Sequence, residues 1–554
     1  MLHLALLLSL AALAEAAPAQ QIPRWHRFEA SLQSDKDYKQ PLHEAQVVVA
    51  LTAPSGAKHT VDAFWDGGRT FRFRFSPDEI GTWKWETAGN DKTDTGLHGQ
   101  TGSFECVAAT ARHALAQHGP LRVSEDRYHL SHADGTPFFW MADTAWAAPM
   151  MSSEKDWLTF VRDRQAKRFN VVQAITTQNI AAAADATGRQ AFYVDGDKLG
   201  LEPAFWRRLD GKFDVANDEG LVMSPSFSWA ARWHGAGRML DPGGGVLSDD
   251  QLVTLLRYAL ARYGAHHVVW LFGGDFDYTP EAERWRAIGR RVFGDKPRHL
   301  VTMHPAPRKL HHADFKGEPW LGFLGYQSSH SNDERTHRWM VEGEPATAWK
   351  LEPRYPIINI EPNYEAHRDG KTQQPITAFD IRRAAYWSVL VSPTAGVTYG
   401  AHGIWSWELT RNLPMSHPTT GEARPWSEAL ELPGSTHMKV LVDVFSAQHR
   451  PWWKLRPVPA LVVNQPGKAH VGRFIAASRT EDGNLMVVYV PGGPALLDLS
   501  KVDPAAKAVW IDPTNGHEVP AALQLGGLAT ATPPAKNAAG DTDYVLVISR
   551  STGP

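Results

Sequence analysis

Residues 248–285, SDDQLVTLLRYALARYGAHHVVWLFGGDFDYTPEAERW, hold the pattern that decides the fold. Ser248 and Gln251 form a capping box before LVTLLRYALARY, in which apolar residues recur at helical spacing. The apolar run HVVWLFGG (267–274) follows and predicts a buried strand. The stretch therefore reads as a helix followed by a strand, the unit from which parallel sheets are built.

The boundaries of these elements also have sequence signals. Gly264 is expected to end the helix at its C′ position. After the strand, Thr279 is expected to be the N-cap of the next helix and Pro280 its first residue. Helix and strand thus continue to alternate beyond this stretch.

Eight apolar stretches of this kind occur between residues 111 and 453. A doubly wound open sheet is the competing architecture, but it would usually need a Gly-rich nucleotide turn, and neither G-x-G-x-x-G nor G-x-x-x-x-G-K-[ST] occurs. Eight strands in about 300 residues instead predict a central (β/α)8 TIM-type barrel. The stretches are FFWMAD (138–143), NVVQAIT (170–176), GLVMSPSF (220–227), HVVWLFGG (267–274), HLVTMH (299–304), WLGFLGYQ (320–327), PIINIE (356–361) and AGVTYG (395–400).

Both flanks of the barrel have the pattern of β-structure. Residues 20–110 alternate with period two, as in TFRFRF (70–75), between turn signals such as WDGG. Residues 454–554 return to short strands separated by PG, DG, GG and TNG turns. We therefore predict a multidomain α/β protein whose barrel, residues 111–453, lies between N-terminal and C-terminal antiparallel β-sandwiches.

The composition is that of a globular protein with many aromatic residues. The 554 residues include 57 Lys and Arg against 60 Asp and Glu, a formal charge of -3. This balance lacks the basic face that a nucleic-acid-binding protein needs, and no heptad array or low-complexity tract occurs. The chain has 22 Trp, 22 Phe and 13 Tyr, more flat aromatic surface than a core requires, which favours a sugar-binding protein.

The first 19 residues resemble a secretory signal peptide. An apolar run from Leu4 to Leu13 precedes two small-x-small cleavage candidates, although the segment lacks Lys or Arg at its start. The run is too short to span a bilayer, so we expect no membrane insertion and a periplasmic or secreted protein. Cys106 is the only cysteine, which excludes an internal disulfide, and we interpret it as a buried strand residue.

Two carboxylates at the ends of predicted strands are candidates for catalysis. In a TIM barrel the active site lies at the carboxyl ends of the strands, and Asp275 and Glu361 end the fourth and seventh. Glycoside hydrolysis requires such a pair, because one group protonates the departing oxygen while the other meets the developing oxocarbenium ion. Glu361 is the stronger candidate, since a carboxylate directly after a buried run is costly unless a cleft or partner receives it.

Each candidate also has an ordinary structural interpretation. Asp275 follows Gly-Gly and could be a turn residue. Asp143, at the end of the first strand, binds a sugar hydroxyl in one interpretation and only caps the next segment in the other. Most of the 25 His have no ligand spacing, so we expect no metal and no cofactor.

Other polar and aromatic residues follow the predicted strands. Histidines there could hydrogen-bond sugar hydroxyls or could equally be satisfied core residues, and tryptophans could stack on sugar rings. The substrate-binding candidates are Asp143, Trp146, Gln178, Trp229, His304, Gln327, His330, Tyr364, His402 and Trp405.

Taken together, the motifs resemble one known family. PFFWMADTAW, RFNVVQ, VVWLFGGD, HLVTMHP, GYQSSH, PIINIEPNYE and AGVTYGAHGIWSW resemble, in this order, the apiosidase-like glycoside hydrolase barrel. The leading region, with FRFRFSPDEIGTWKWET, resembles a β-sandwich domain of unknown function that often precedes such barrels. The tail, with WWKLRPVP and VWIDPTNG, is similar to a C-terminal domain labelled as collagen-binding.

The resemblance implies roles for the two carboxylates. It implies that Asp275 is the acid/base and that Glu361 is the nucleophile of a retaining mechanism, which agrees with the pair found at the strand ends. This chain departs from the characterised apiosidases, which do not carry this leading sandwich. The resemblance therefore implies the same catalytic machinery and leaves open whether apiose is the sugar released.

The leading hypothesis is an exported, exo-acting, retaining glycoside hydrolase that removes a sugar from a plant or algal polysaccharide or oligosaccharide. The alternative is a matrix- or polysaccharide-binding protein with an inactive barrel. A polysaccharide lyase fits less well, because paired carboxylates favour hydrolysis. The expected partner is a carbohydrate, and the sequence leaves the oligomeric state open.

Overall fold

A computed structural model describes residues 20–179, 182–229, 247–295, 298–414, 417–447 and 450–550. The predicted signal peptide, residues 1–19, lies outside the described residues. No helix within these ranges is long and apolar enough to cross a membrane.

The first region consists of eight strands in two sheets that share one core. They are β1 (Gln21–Pro23), β2 (Phe28–Gln33), β3 (Val47–Thr52), β4 (Lys58–Asp62), β5 (Phe64–Gly67), β6 (Thr70–Phe75), β7 (Gly81–Gly89) and β8 (Thr101–Val107).

The sheet orders are β1-β8-β7-β3-β4 and β2-β6-β5. The pairing is antiparallel except between β1 and β8, which are parallel, so the prediction of a wholly antiparallel sandwich was wrong at this edge. At this edge β1, the first strand of the region, lies beside β8, the last, and the two run in the same direction, so they are not joined by a hairpin. Cys106 is fully buried in β8, as predicted.

The central region contains all eight predicted barrel strands, and they run parallel. A small antiparallel sheet precedes them and a hairpin interrupts them, neither of which was predicted. In chain order the strands are β9 (Leu121–Val123), β10 (Leu130–His132), β11 (Pro137–Phe138), β12 (Trp140–Thr144), β13 (Val171–Ile175), β14 (Phe192–Asp195), β15 (Lys198–Leu201), β16 (Val222–Ser226), β17 (Val269–Phe276), β18 (Leu300–Pro305), β19 (Leu324–Gln327), β20 (Ile357–Glu361) and β21 (Gly396–Gly400).

Six of the parallel strands form one sheet, in the order β16-β13-β12-β21-β20-β19, and β17 pairs with β18. One bridge, Met223 to Val268, joins β16 to the start of β17. The N–H of Gly322 donates to the carbonyl of Val301 at 2.9 Å, which links β18 to the segment before β19. The region is thus a curled parallel sheet flanked by helices.

The helices are α1 (Pro41–Glu44), α2 (Ala114–His118), α3 (Ala148–Met151), α4 (Glu154–Ala166), α5 (Pro203–Asp218), α6 (Asp249–Tyr263), α7 (Ala282–Phe293), α8 (His312–Phe315), α9 (Glu334–Glu342), α10 (Glu344–Thr347), α11 (Ala378–Leu390), α12 (Trp426–Ala429) and α13 (Pro433–Ser446).

The helix ends around β17 confirm one prediction and correct another. The capping box of Ser248 and Gln251 is present, and Gly264 is the C-cap of α6 in a right-handed conformation. The next helix does not begin at Thr279: a 3-10 turn, Thr279–Glu281, precedes α7. The N-cap residues are Tyr278 for this turn and Glu281 for α7, and neither uses its side chain as a cap. Thr279 instead belongs to the turn, where its hydroxyl donates to Asp314 at 3.0 Å.

Alternate residues of the parallel strands face two different environments. Trp140 and Ala142 of β12 belong to the cluster enclosed by the strands, whereas Met141 belongs to the layer between strands and helices. Residues of β13, β16, β17, β18 and β20 join the enclosed cluster in the same alternation. A side chain at the end of a strand therefore faces either the open end of the space that the strands enclose or the surrounding helices, according to its place in the alternation.

The tail forms a six-stranded sheet, in the order β22-β23-β24-β29-β26-β27, and a two-stranded sheet of β25 and β28, with antiparallel pairing throughout. Its strands are β22 (Arg456–Pro457), β23 (Ala476–Arg479), β24 (Leu485–Val490), β25 (Ala495–Asp498), β26 (Lys507–Ile511), β27 (Glu518–Pro520), β28 (Leu528–Ala531) and β29 (Tyr544–Ser549).

Buried ion pairs join both flanking regions to the centre. Arg74 of β6 and Arg262 of α6 both pair with Asp210 of α5, at 2.8 and 2.7 Å. Burial alone would raise the pKa of Asp210, but the two guanidinium groups lower it to about 2. At the other interface Arg382 of α11 pairs with Asp543 at 2.8 Å.

Candidate active site

The end of β20 places Glu361 among three polar side chains. Its carboxylate Oε2 lies 2.8 Å from Nε2 of His304, and Oε1 lies 3.3 Å from Nε2 of His330. The Tyr364 hydroxyl donates a short hydrogen bond to Oε1. Glu361 is buried, with 5% of its surface exposed, and His304 is fully buried. A buried carboxylate is thus provided with partners for both oxygens.

A β-bulge directs Glu361 toward these partners. In the pairing of β19 with β20, Tyr326 lies opposite Asn359 and Gln327 lies opposite Glu361, so Ile360 is an extra residue. Strict alternation would have put Glu361 on the helix side with Asn359, whose amide donates to Ser388 of α11 at 3.0 Å. The extra residue reverses the direction of Glu361, and bulges beside active sites have this effect.

The partners of Glu361 keep it ionised. Burial by itself would raise the pKa of this carboxyl, but His304 and His330 outweigh the burial and hold the pKa well below its ordinary value. A permanently ionised carboxylate in a cleft is suited to act as a nucleophile or to stabilise a developing positive charge.

Two tryptophans enclose His304. The rings of Trp229 and His304 have centroids 4.9 Å apart, and Trp146 meets His304 edge-on at 5.3 Å. Trp146 also donates from Nε1 to the Tyr364 hydroxyl at 3.0 Å. An aromatic wall, made of Trp146 and Trp229, therefore lies directly beside His304 and the carboxylate.

Trp405 and His402 extend this wall. Trp405 stacks with Tyr364 at a centroid separation of 6.4 Å, and its Nε1 donates to Nδ1 of His402 at 3.1 Å. Nε2 of His402 lies 3.0 Å from the carbonyl of Gly421. Burial lowers the pKa of His402, so it stays neutral with its proton on Nε2.

Gln327 connects Asp275 to the strand pair that carries Glu361. Nε2 of Gln327 donates to Oδ1 of Asp275 at 2.9 Å and to the carbonyl of Pro305 at 3.0 Å. Gln327 is also the residue opposite Glu361 in the pairing of β19 with β20. Both carboxylates therefore lie at the same edge of the sheet, at the ends of nearby strands.

Asp143 and Gln178 are not brought into this group. Asp143 is fully buried on the helix side of β12, where Nε of Arg164 lies 2.5 Å from its carboxylate. The amide of Gln178 binds the backbone of Ala191 and Phe192, at 3.0 and 2.9 Å. Both side chains serve the framework around the site.

Two residues that sequence reasoning missed support the site. His367 lies between His330 and His402, with ring centroids 5.1 and 5.4 Å away, and no spacing signal marked it. Gly400 allows Tyr364 to approach β21, since a Cβ at this position would lie 2.2 Å from the Tyr364 ring. The only sequence signal for Gly400 was a glycine at the end of a predicted strand.

No group of three or more His, Cys, Asp or Glu side chains suited to a metal ion occurs in the described ranges.

Comparison with known families identifies the family to which this region of the chain belongs. Residues 124–454 match the model of the family described as "Apiosidase-like, catalytic domain". This chain belongs to the apiosidase-like family. The match spans more than half of the chain and contains Asp275 and Glu361. Membership in this catalytic family makes the apiosidase-like protein a glycosidase.

The flanking regions of this apiosidase-like protein match two further models. Residues 21–90 match a domain of unknown function, DUF5060. Residues 457–549 match the model described as "Putative collagen-binding domain of a collagenase". None of the curated proteins compared with the chain matches its sequence.

Solved structures of glycoside hydrolases share this fold. One described as "Glycoside hydrolase" has a TM-score of 0.65 at 24% identity, covering 79% of this chain and 98% of its own. A glycoside hydrolase family 5 structure from Bacteroides vulgatus ATCC 8482 has a TM-score of 0.67 at 23% identity, covering 79% of this chain and 94% of its own. At these identities the likeness concerns the fold alone.

Proposed function

We propose that this apiosidase-like protein is an exported, exo-acting, retaining glycoside hydrolase that removes a sugar from a plant or algal polysaccharide or oligosaccharide. In this proposal Glu361 is the nucleophile and Asp275 is the acid/base. The eight parallel strands close into a (β/α)8 barrel with the reaction at their carboxyl ends. The leader-like pattern of residues 1–19 supports export to the periplasm or beyond.

One observation carries the proposal. Glu361 is buried, ionised and held through both carboxylate oxygens, and a second carboxylate lies nearby on Asp275. Burying a charged group costs free energy, so a buried charge indicates that the protein uses it. A nucleophile must be ionised and held in one direction, as Glu361 is. Trp146 and Trp229 provide the adjacent surface for a sugar ring.

The reaction follows from these positions in two steps. Glu361 attacks the anomeric carbon as the glycosidic bond breaks, and Asp275 gives its proton to the departing oxygen. This leaves a glycosyl ester on Glu361 and a carboxylate on Asp275. Asp275 then removes a proton from water, the water oxygen attacks the anomeric carbon, and the Glu361 carboxylate departs, so that configuration is retained.

The proposal is tested by sugar release from pectic, arabinan, galactan and algal oligosaccharides, with Glu361→Gln as the comparison. We expect the wild type to release one monosaccharide, and proton NMR of its first turnovers to detect the anomer of the substrate. An inverted anomer would exclude the nucleophilic role of Glu361. Equal rates of sugar release in the wild type and Glu361→Gln would exclude any catalytic role of Glu361.

If neither protein releases sugar, binding of the same oligosaccharides to both tests the alternative of a binding protein with an inactive barrel. Unchanged binding in Glu361→Gln would favour that alternative.

A further inference from the structure

The strand that carries Asp275 is irregular where Asp275 lies. In the pairing of β17 with β18, Phe272 lies opposite Met303 and Phe276 lies opposite Pro305. Between these two pairs β17 advances by four residues and β18 by only two. The segment Gly273-Gly274-Asp275 therefore bulges out of the ladder of hydrogen bonds. A bulge has lost ladder hydrogen bonds, so its shape must be fixed by other groups.

Tyr278 supplies such groups from within the same turn. Its hydroxyl accepts from the N–H of Gly274 at 2.5 Å and donates to the carbonyl of Gly274 at 2.5 Å. Burial holds the pKa of Tyr278 far above its ordinary value, so the hydroxyl remains neutral and can do both. One side chain thus satisfies both backbone groups of the residue before Asp275.

The fit between Tyr278 and the bulge leaves no space. Gly273 has φ +80°, and a Cβ built on it would lie 2.1 Å from the Tyr278 hydroxyl oxygen. On the other side Ser228 accepts from the N–H of Gly273 at 2.9 Å, and Ser226 donates to its carbonyl at 3.0 Å. Two consecutive peptide units before Asp275 are therefore held by side chains.

Tyr278 is itself held in place. Its ring packs edge-on against Trp285 at 5.1 Å and against Phe276 at 5.5 Å. Its backbone N–H donates to Nε2 of His311 at 3.3 Å, and Nδ1 of His311 lies 2.7 Å from a carboxylate oxygen of Asp314. The hydroxyl therefore has a fixed position from which to hold Gly274.

We infer that Tyr278 is a positioning residue for the acid/base, which fixes the Gly273-Gly274 bulge so that the Asp275 carboxylate stays at the Gln327 amide and faces the glycosidic oxygen. This inference rests on the proposed function, because it concerns the aspartate that the proposal assigns as proton donor. Tyr278 itself is fully buried and acts only through the backbone.

The test uses Tyr278→Phe, which keeps the ring and removes the hydroxyl. Its control is Tyr386→Phe in α11, because Tyr386 is also fully buried and its hydroxyl has no hydrogen-bond partner among the described residues. Crystal structures of both variants measure the separation between Gln327 Nε2 and Asp275 Oδ1. We expect this contact to be lost in Tyr278→Phe and kept in Tyr386→Phe. An unchanged contact and bulge in Tyr278→Phe would overturn the inference.

Kinetics give a second readout that a general loss of stability would not produce. Phenyl and 2,4-dinitrophenyl glycosides of the released sugar differ in whether the leaving oxygen needs a proton. For Tyr278→Phe we expect kcat/KM to fall about 100-fold on the phenyl glycoside, since general acids contribute about 10² to 10⁴. We expect less than about a threefold fall on the dinitrophenyl glycoside, which leaves without acid help. Equal losses of kcat/KM on both glycosides would mean that Tyr278 has only a structural role.

The two proposals fail in different ways. If Glu361→Gln hydrolyses substrates at the wild-type rate, the proposed function fails, whereas the crystal structures still decide whether Tyr278 fixes Asp275. If Glu361→Gln is inactive and Tyr278→Phe matches the wild type in both readouts, the function stands and the role of Tyr278 is refuted.

Discussion

Glu361 and Asp143 end two parallel strands of the same sheet, and both carboxylates are buried, yet their surroundings differ in kind. Glu361 meets two histidines and a tyrosine beside an aromatic wall. Asp143 meets Arg164 of α4 in the layer between strands and helices. The pKa of Glu361 is held well below its ordinary value, whereas burial raises the pKa of Asp143 to about 6 despite Arg164.

The comparison teaches that a position at the end of a strand does not by itself determine the surroundings of a carboxylate. In β12 the alternation is regular, and Asp143 follows Met141 to the helix side. In β20 the extra residue Ile360 interrupts the alternation and turns Glu361 away from the helices. The direction in which the side chain points therefore separates the surroundings of the two carboxylates.

The largest expected effect is on catalysis at Glu361. Replacing it by Gln should lower kcat by about four orders of magnitude or more, since removal of one member of a catalytic triad costs about 10⁴ to 10⁶. Circular dichroism should find the fold retained. The matched control is Glu365→Gln, because Glu365 is also buried but binds Tyr399 and the Gly434 N–H away from this group. Comparable losses of kcat in both variants would contradict the distinction.

The second effect is on stability at Asp143, measured by urea unfolding of the wild type and Asp143→Asn from pH 4 to pH 7. Because the pKa is raised to about 6 in the folded state, the folded protein binds this proton more tightly than the unfolded chain. The contribution to stability is complete below about pH 4 and is lost as the pH rises through 6, a change of roughly 3 kcal/mol.

The wild type should thus lose this stability relative to Asp143→Asn across that interval, and kcat per folded molecule should stay equal. A substantial fall of kcat in Asp143→Asn would instead assign Asp143 to the substrate, as the sequence pattern allowed.

A smaller effect is expected at His304. Without this histidine, the burial of Glu361 is opposed mainly by His330, so the pKa of Glu361 rises and the acid limb of kcat/KM moves to higher pH. We expect His304→Gln also to lower kcat about 100-fold, because hydrogen bonds to charged groups contribute about 1.5 to 3 kcal/mol. His132→Gln, a buried histidine of β10, should leave the pH profile unchanged. An unmoved acid limb in His304→Gln would mean that another group keeps Glu361 ionised.

The smallest effect compares two tyrosine–glutamate hydrogen bonds. Tyr364 donates to Glu361 in the site, and Tyr399 donates to Glu365 on the helix side at 2.6 Å. Tyr364→Phe should lower kcat about tenfold, the value of one hydrogen bond to a charged group. Tyr399→Phe should lower the melting temperature and leave kcat intact. Equal kcat values in Tyr364→Phe and Tyr399→Phe would contradict the distinction between the two hydrogen bonds.

Much of this molecule could be predicted from local sequence. The eight apolar stretches are strands because their composition and flanking turns act within a few residues. Asp275 and Glu361 could be selected because each directly follows such a stretch. His304, Gln327 and His330 were found by the same rule, and the structure places all three beside these carboxylates.

Other features depended on contacts between distant parts of the chain. Gln178 follows β13 and His304 lies near the end of β18, but the amide of Gln178 is bound by the backbone of Ala191 and Phe192 at the start of the hairpin of β14 and β15. Thr279 is a residue type that favours the N-cap position, but it lies inside a 3-10 turn and its hydroxyl donates to Asp314 in the segment after β18. His367 has no sequence signal because only folding brings it between His330 and His402.

The sequence by itself determined which residues form the strands and that a carboxylate ends three of them, because periodicity and strand length are local properties of the chain. Only the tertiary structure decided that Glu361 and Asp275 share one edge while Asp143 faces the helices. The physical reason is that a bulge in β20 or β17 exists only relative to the neighbouring strand, and no residue encodes the register of its partner.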